Sequence, residues 1–147
     1  MPSASDPFDL QRFTSAQDLH GVYGDALREL RDGRKRMHWM WFIFPQIHGL
    51  GFSSMSQRYA IKSGEEARAY LDHPELSKRL VACAEAVLSV QDRSVSAIFG
   101  SPDDMKLKSS MTLFEAVSPP GSVFAQVLDR YFEGQRDRKT LDILRGA

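Results

Sequence analysis

His38 is the ionisable side chain set directly against the longest apolar run of the chain, Trp39-Met40-Trp41-Phe42-Ile43-Phe44. An imidazole there suits a general acid or base, although the same position also suits a histidine at a helix end. Trp39 and Trp41 lie two residues apart, so they cannot share one helix face, and at least one packs in a different direction from the other. A tryptophan facing a pocket can stack on a base or a nicotinamide ring, whereas one facing inward is core. Gln46 follows Pro45 at the end of the run. A buried amide there needs partners, so it either ties down the Gly49-Leu50-Gly51 turn or binds a ligand. Gly49, Gly51, Ser53, Ser54 and Ser56 form a loop of small residues whose backbone amides can cradle an anion, or simply turn the chain.

A second group lies on one later segment, Lys106 to Phe114. Leu107, Met111 and Phe114 recur at helical spacing and read as core. Lys106, Ser109, Ser110 and Leu113 fall on an adjoining strip, and serine is mildly unfavourable inside a helix. The strip is either the edge of a cleft that grips a phosphate or carboxylate, or a small-residue surface that lets another helix approach closely. Tyr59 and Tyr70 are candidates to point hydroxyls toward the same cleft. Cys83, between Leu80 and Val87, reads as inert packing. The four histidines lack the i, i+4 spacing of a helical zinc pair and one cysteine builds no thiolate site, so neither a metal nor another cofactor is expected. Phosphate-loop, dinucleotide and nucleophile-elbow patterns are absent as well.

The elements that must position these residues read as helices. Leu19, Val22, Tyr23, Ala26, Leu27 and Leu30 form one stripe, with Asp18, Asp25, Arg28 and Glu29 on the opposite, solvent side. Thr14 with Gln17 forms a capping-box pattern ahead of it, and Gly33 a stop behind it. Ser63 with Glu66 forms a second box, Pro74 opens a helix at its first turn, and Leu76, Leu80, Cys83, Ala84, Val87 and Leu88 give the cleanest stripe. Further helices are expected over Ser94–Phe99, from Ser101-Pro102-Asp103-Asp104 onward, over Val123–Phe132, and after a cap at Asp137. Trp39–Phe44 is expected to be a short buried helix. No segment alternates as a half-buried strand does. The expectation is an all-α fold, a single compact domain of about six to eight helices over residues 8–147, after a disordered or extended segment 1–7.

Composition fits that expectation. With 147 residues, 42% hydrophobic and 26% charged, the chain has the means to bury a substantial core. Nineteen basic residues balance nineteen acidic ones, which argues against nucleic acid as a partner, because phosphate neutralisation normally demands a basic excess. No apolar run approaches the ~20 residues of a spanning helix, and the N-terminus has no export-signal pattern. A cytoplasmic protein with no membrane partner is expected, and its oligomeric state is left open.

His38-Trp39-Met40-Trp41-Phe42-Ile43-Phe44-Pro45-Gln46, Gly49-Leu50-Gly51, Tyr59-Ala60-Ile61, Tyr70-Leu71, His73-Pro74 and Lys106-Leu107-Lys108-Ser109-Ser110-Met111-Thr112-Leu113-Phe114 together resemble the bacterial family catalogued as domain of unknown function 1810, whose members are often labelled calpastatin. The resemblance runs from Phe8 to about Leu144 and departs at Ser77-Lys78, where the family pattern has glycine. It implies a small helical cytoplasmic protein and brings no activity with it. The calpastatin label conflicts with the composition: calpain-inhibiting segments are disordered, repeated and charged, whereas this chain is patterned for a core. A fainter likeness in layout connects it to small helical N-glycosidases that act on ribosylated compounds.

Two functions follow as expectations. One is a small-molecule binder or cofactor-free hydrolase whose cleft takes a nucleotide-like or ribosylated ligand, lined by His38, Trp41, Gln46, Ser53, Tyr59, Lys106 and Ser110. The other is a protein-interaction module that uses the Trp-rich block as an exposed groove, which requires an apolar patch larger than monomers usually tolerate.

Overall fold

Asp6, not Thr14, starts the first helix. In the computed structural model, which describes residues 5–146, the Asp6 carboxylate accepts from the N–H groups of Leu10 (2.8 Å) and Gln11 (3.0 Å), so α1 begins at Gln11 and runs to Asp18. The expected Thr14–Gln17 box does not form. Thr14 lies inside α1 and donates back to the Gln11 carbonyl, while Gln17 turns inward. The single stripe expected from Leu19 to Leu30 also breaks, because His20 and Gly21 adopt positive φ angles (54° and 68°). A 3-10 turn, Leu19–Gly21, therefore separates α1 from α2 (Val22–Arg31), and Leu19 is left exposed.

The remaining helices are α3 (Met40–Ile43), α4 (Ser54–Tyr59), α5 (Gly64–Asp72), α6 (Pro74–Ser89), α7 (Val95–Phe99), α8 (Asp103–Ala116), α9 (Val123–Tyr131) and α10 (Arg138–Gly146). Most of their starts follow from side-chain oxygens that satisfy the free N–H groups of a first turn. Ser53, Ser63, Ser94 and Ser122 each accept the N–H three residues on, and Asp137 accepts from Thr140 N at the head of α10. At α6 the cap is His73, whose Nδ1 accepts from both Glu75 N and Leu76 N, with Pro74 in the first turn. Helix covers 65% of the described residues. Among the described residues, extended pairing is limited to one parallel bridge between Ile47 and Ile61. No helix there is long and apolar enough to cross a membrane.

Two long helices organise the core. α6 packs against α2, α5 and α9, and α8 packs against α5, α7, α9 and α10. The residues predicted as core, Leu80, Cys83, Val87, Met111, Phe114 and Leu128, are all buried, and burial pushes the Cys83 thiol up to about 12, which keeps it protonated. Aromatic rings link the layers: Phe13 meets Tyr70 edge-on at 5.1 Å, Tyr70 meets Phe114 at 5.2 Å, and Phe114 meets Phe124 at 5.8 Å. A side branch runs from Phe13 to Tyr59 to Phe42. Phe114 stands at the junction of α5, α8 and α9, fully buried between the Tyr70 and Phe124 rings. Phe114→Ala is therefore expected to lose ~3–5 kcal/mol of stability in urea unfolding. A loss below ~1 kcal/mol would show that this face of α8 is not core.

Candidate functional site

The short helix α3 sorts the two tryptophans. Trp39 is only 1% exposed, and its indole Nε1 donates to Glu29 Oε1 at 3.0 Å. The same carboxylate oxygen accepts the backbone N–H groups of Arg36 (2.7 Å) and Met37 (3.1 Å). Glu29, expected on the solvent side of α2, is thus a buried acceptor for the whole 36–39 turn. Burial opposes its ionisation, but the three donors and nearby Lys35 outweigh that and hold its carboxyl below the usual range. With Trp39 fixed inward, Trp41 points the other way and is the one residue of 39–45 that is not buried. The aromatic block is therefore mostly core and offers little open groove.

Trp41 forms one wall of a cleft of about 150 Å³, completed by Gln46, Ile47, Gly49, Leu50, Gly51, Ser56, Tyr59, Ala60 and Lys106. Lys106, from the first turns of α8, places its ammonium 4.1 Å from the Trp41 ring centre. It also sits 3.2 Å from Asp103 Oδ1, while Lys35 holds Asp103 Oδ2 at 2.9 Å. Burial raises the Asp103 pKa, and the two lysines more than reverse this, holding the carboxyl below its ordinary range. Asp103, which the sequence reads as a helix-capping acid, is in fact the bridge between Lys35 and Lys106. Two cations sharing one carboxylate leave one unbalanced positive charge at the cleft edge.

The opposite wall is set by Arg12. Its guanidinium donates to the carbonyls of Phe8, Asp9, Arg58 and Ala60 and pairs with Glu66 at 2.7 Å. That fixes the end of α4, where Tyr59 sits buried between Phe13 and Phe42. The next residues return beside the floor: Ile61 N donates to the Gln46 carbonyl and His48 N to the Ile61 carbonyl, both at 2.8 Å. Thus the backbone of Gln46, not its amide, ties down the turn. Among the described residues its side-chain amide has no hydrogen-bond partner, and the N–H groups of Gly49 and Gly51 donate to no protein acceptor. Gly49 has φ of 103°, a backbone state that excludes most side chains. A Cβ on Gly51 would press on Ser56 at 3.1 Å, so glycine permits the loop's close approach to α4.

Of the residues singled out by sequence, Trp41, Gln46, Gly49, Gly51, Tyr59 and Lys106 are brought together here. Trp39, Ser53, His38, Ser109 and Ser110 are not among the lining. His38 is exposed beside the buried block. Ser53 is the cap of α4. Ser109 donates to Asp137 Oδ2 at 3.2 Å, and Thr112 accepts from Asp137 N at 2.9 Å, so this face of α8 seats the start of α10. Ser110 is fully buried and its hydroxyl makes no hydrogen bond. Sequence reasoning missed Ile47 and Ala60 in the lining, and it missed Glu29, Lys35 and Arg12 as positioning groups. Glu29 and Arg12 act across sequence gaps with no local pattern, whereas Lys35 stands in a charged run that reads as solvated surface.

Residues 7–144 match the family described as "Protein of unknown function (DUF1810)". The conserved hypothetical protein Rv1873 from Mycobacterium tuberculosis, known from a crystal structure, is similar to this chain at 51% identity with a TM-score of 0.92, over 95% of this chain and 99% of that one. No curated protein matches.

The depressed carboxyls of Glu29 and Asp103 give stability a definite pH dependence. Each contributes stability that is fully present above the unfolded carboxylate values near ~4 and is lost as the pH falls through its lower folded value. Urea unfolding between pH 6 and 2 should show this acid limb, and Glu29→Gln and Asp103→Asn should each make it shallower. Ser110→Ala removes a buried hydroxyl that nothing satisfies and is expected to leave stability unchanged or raise it by up to ~1 kcal/mol. A loss above ~1 kcal/mol on that change would mean that the hydroxyl has a partner in solution.

Proposed function

The chain belongs to the DUF1810 family, and we propose that it is a small-molecule binding protein whose cleft takes the flat ring and an anionic group of a nucleotide-like or ribosylated compound. The observation that carries this reading is the contact of Lys106 with Trp41 beside the unpartnered Gln46 amide and the free N–H groups of Gly49 and Gly51. An ammonium and two amides suit an anion. Gln46 presents both a donor and an acceptor, which suits the edge of a heterocycle. Ile47, Leu50, Ala60, Trp41 and Tyr59 supply the apolar surface that a ring needs.

Size and charge narrow the ligand. The cleft is smaller than the roughly 300–1,000 Å³ of drug-sized sites, so one ring and its anion occupy it and a sugar remains at the mouth. The titratable groups in the lining are Lys106 and Tyr59, with no carboxylate to activate water, and His38 lies outside it. Binding is favoured over hydrolysis on that ground.

Uridine monophosphate and nicotinamide mononucleotide are suitable probes for a thermal-shift and calorimetric test. A compound at 100 times its Kd adds about 2.7 kcal/mol of stability. Lys106→Met should abolish that gain while costing the free protein only ~1 kcal/mol, the scale of a partly exposed ion pair with a cation–π contact. Absence of any shift with either probe would overturn the reading.

A further inference from the structure

We infer that Phe52 is the closing wall of this cleft: its ring folds over a bound aromatic ring and makes the site selective for flat ligands. The inference rests on the binding function proposed above. Phe52 is 85% exposed, the most exposed of the large hydrophobic residues among those described, and its ring makes no aromatic contact. Its position is not that of a random surface residue. Gly51 before it and Ser56 after it both line the cleft, so the Phe52 Cα lies one peptide, about 3.8 Å, from a lining residue.

The backbone at this point is held while the side chain is not. The Phe52 carbonyl accepts from Gln57 Nε2 at 2.8 Å. The next residue, Ser53, caps α4 through Ser56 N at 3.1 Å. Gly51 presses close to Ser56, leaving no room for a Cβ between loop and helix. The loop tip is therefore anchored to α4, so the closing motion assigned to Phe52 is a change of side-chain rotamer and not a movement of the chain. Such rotations are fast and inexpensive for an exposed residue. Without a ligand the ring stands in solvent, since covering a cleft edged by Lys106, the Gln46 amide and free N–H groups would take those polar groups from water unpaired. When a flat ligand satisfies those groups and turns an apolar face outward, covering that face removes apolar surface of both partners from water.

Phe52 would then do for the outer face of the ligand what the cleft lining does for the inner one, since aromatic faces stack on bases without demanding a particular base. A saturated anion of similar charge gains nothing from this contact. Selection between the two classes thus resides in Phe52, while the anion's affinity resides in Lys106.

The test uses the full chain and calorimetric titration with uridine monophosphate and with ribose 5-phosphate, which carries the anion and sugar but no flat base. Wild-type protein should bind uridine monophosphate more tightly than ribose 5-phosphate. Phe52→Ala should weaken uridine monophosphate by about tenfold or more, leave ribose 5-phosphate unchanged, and leave the melting temperature of the free protein unchanged. A Phe52→Trp variant should shift its added fluorescence to shorter wavelength when uridine monophosphate is added. If wild-type protein binds uridine monophosphate and Phe52→Ala binds it equally well, the closing wall is wrong and the cleft reading stands. If wild-type protein binds neither compound, both are overturned.

Discussion

A single buried carboxylate, that of Glu29, decides which way the aromatic block faces. It lies at the end of α2 and collects three N–H groups from the turn that follows, one of them the indole of Trp39. Charge-assisted hydrogen bonds of this kind are roughly twice as strong as neutral ones, and an ionised group that is buried cannot afford to lose them. The turn is thereby held in one geometry and Trp39 goes inward, toward Phe44 at 6.3 Å. Helical periodicity then leaves Trp41 no place in the same layer. The exposure of Trp41 to the cleft is a consequence of the burial of Trp39.

The same turn carries Lys35, whose main-chain N–H donates to Ile98 and whose ammonium meets Asp103. This bond ties the start of α8 to the chain that enters α3, and so brings Lys106 to Trp41. Arg12 performs the corresponding task on the other side, pinning the end of α4 and the residues that return toward Gln46. Glu29 and Arg12 are far apart in the fold's wiring yet serve one purpose: each is a charged group that satisfies several backbone dipoles of irregular segments. Irregular chain near a core must find partners for its N–H and C=O groups. Here long-range side chains supply most of them, and what they leave unsupplied, at Gly49, Gly51 and the Gln46 amide, faces the cleft.

Much of the fold is legible in the sequence because helix starts are local events. A capping serine announces α5 and α7, the stripe from Val123 announces α9, and the stripe through Leu80, Cys83 and Val87 announces the face of α6 that is buried; α4 is missed, because Ser53, which caps it, reads as part of a loop of small residues. Trp39–Phe44 reads as a short buried helix because the segments around it read as helical and no pairing strand is visible, and its middle, Met40–Ile43, is one. The failures share a cause. Thr14 and Gln17 imitate a box, but Asp6 offers a better pair of acceptor oxygens further upstream, so the helix starts earlier and Gln17 is free to donate inward to Phe42 O and Tyr70 Oη. The break at His20-Gly21 requires two successive positive φ angles, which periodicity cannot register. Glu29 looks like a surface acid because its partners lie up to ten residues ahead. In the site, the residues that line the cleft were visible as an aromatic, an amide, a glycine turn and a lysine. The strip that includes Ser109 was divided by contacts the sequence does not encode locally: Lys106 belongs to the cleft, and Ser109 belongs to the seat of α10.

The charge arrangement around Asp103 explains why Lys106 is poised and not locked. A lysine paired one-to-one with a carboxylate would have its charge spent, and an incoming anion would have to compete with that partner. Asp103 instead divides its two oxygens between Lys35 and Lys106. Lys35 is the more enclosed of the two cations and donates to the Met37 carbonyl as well, so it remains in place whatever Lys106 does. Lys106, at the open side, keeps two of its three N–H groups for other acceptors and rests its charge against the Trp41 ring. A cation–π contact is broad in angle and weaker than a buried ion pair. An anion can therefore draw the ammonium partly away from the ring at small cost, and Asp103 stays neutralised by Lys35 while it happens. The group that a ligand must move is the one with least to lose.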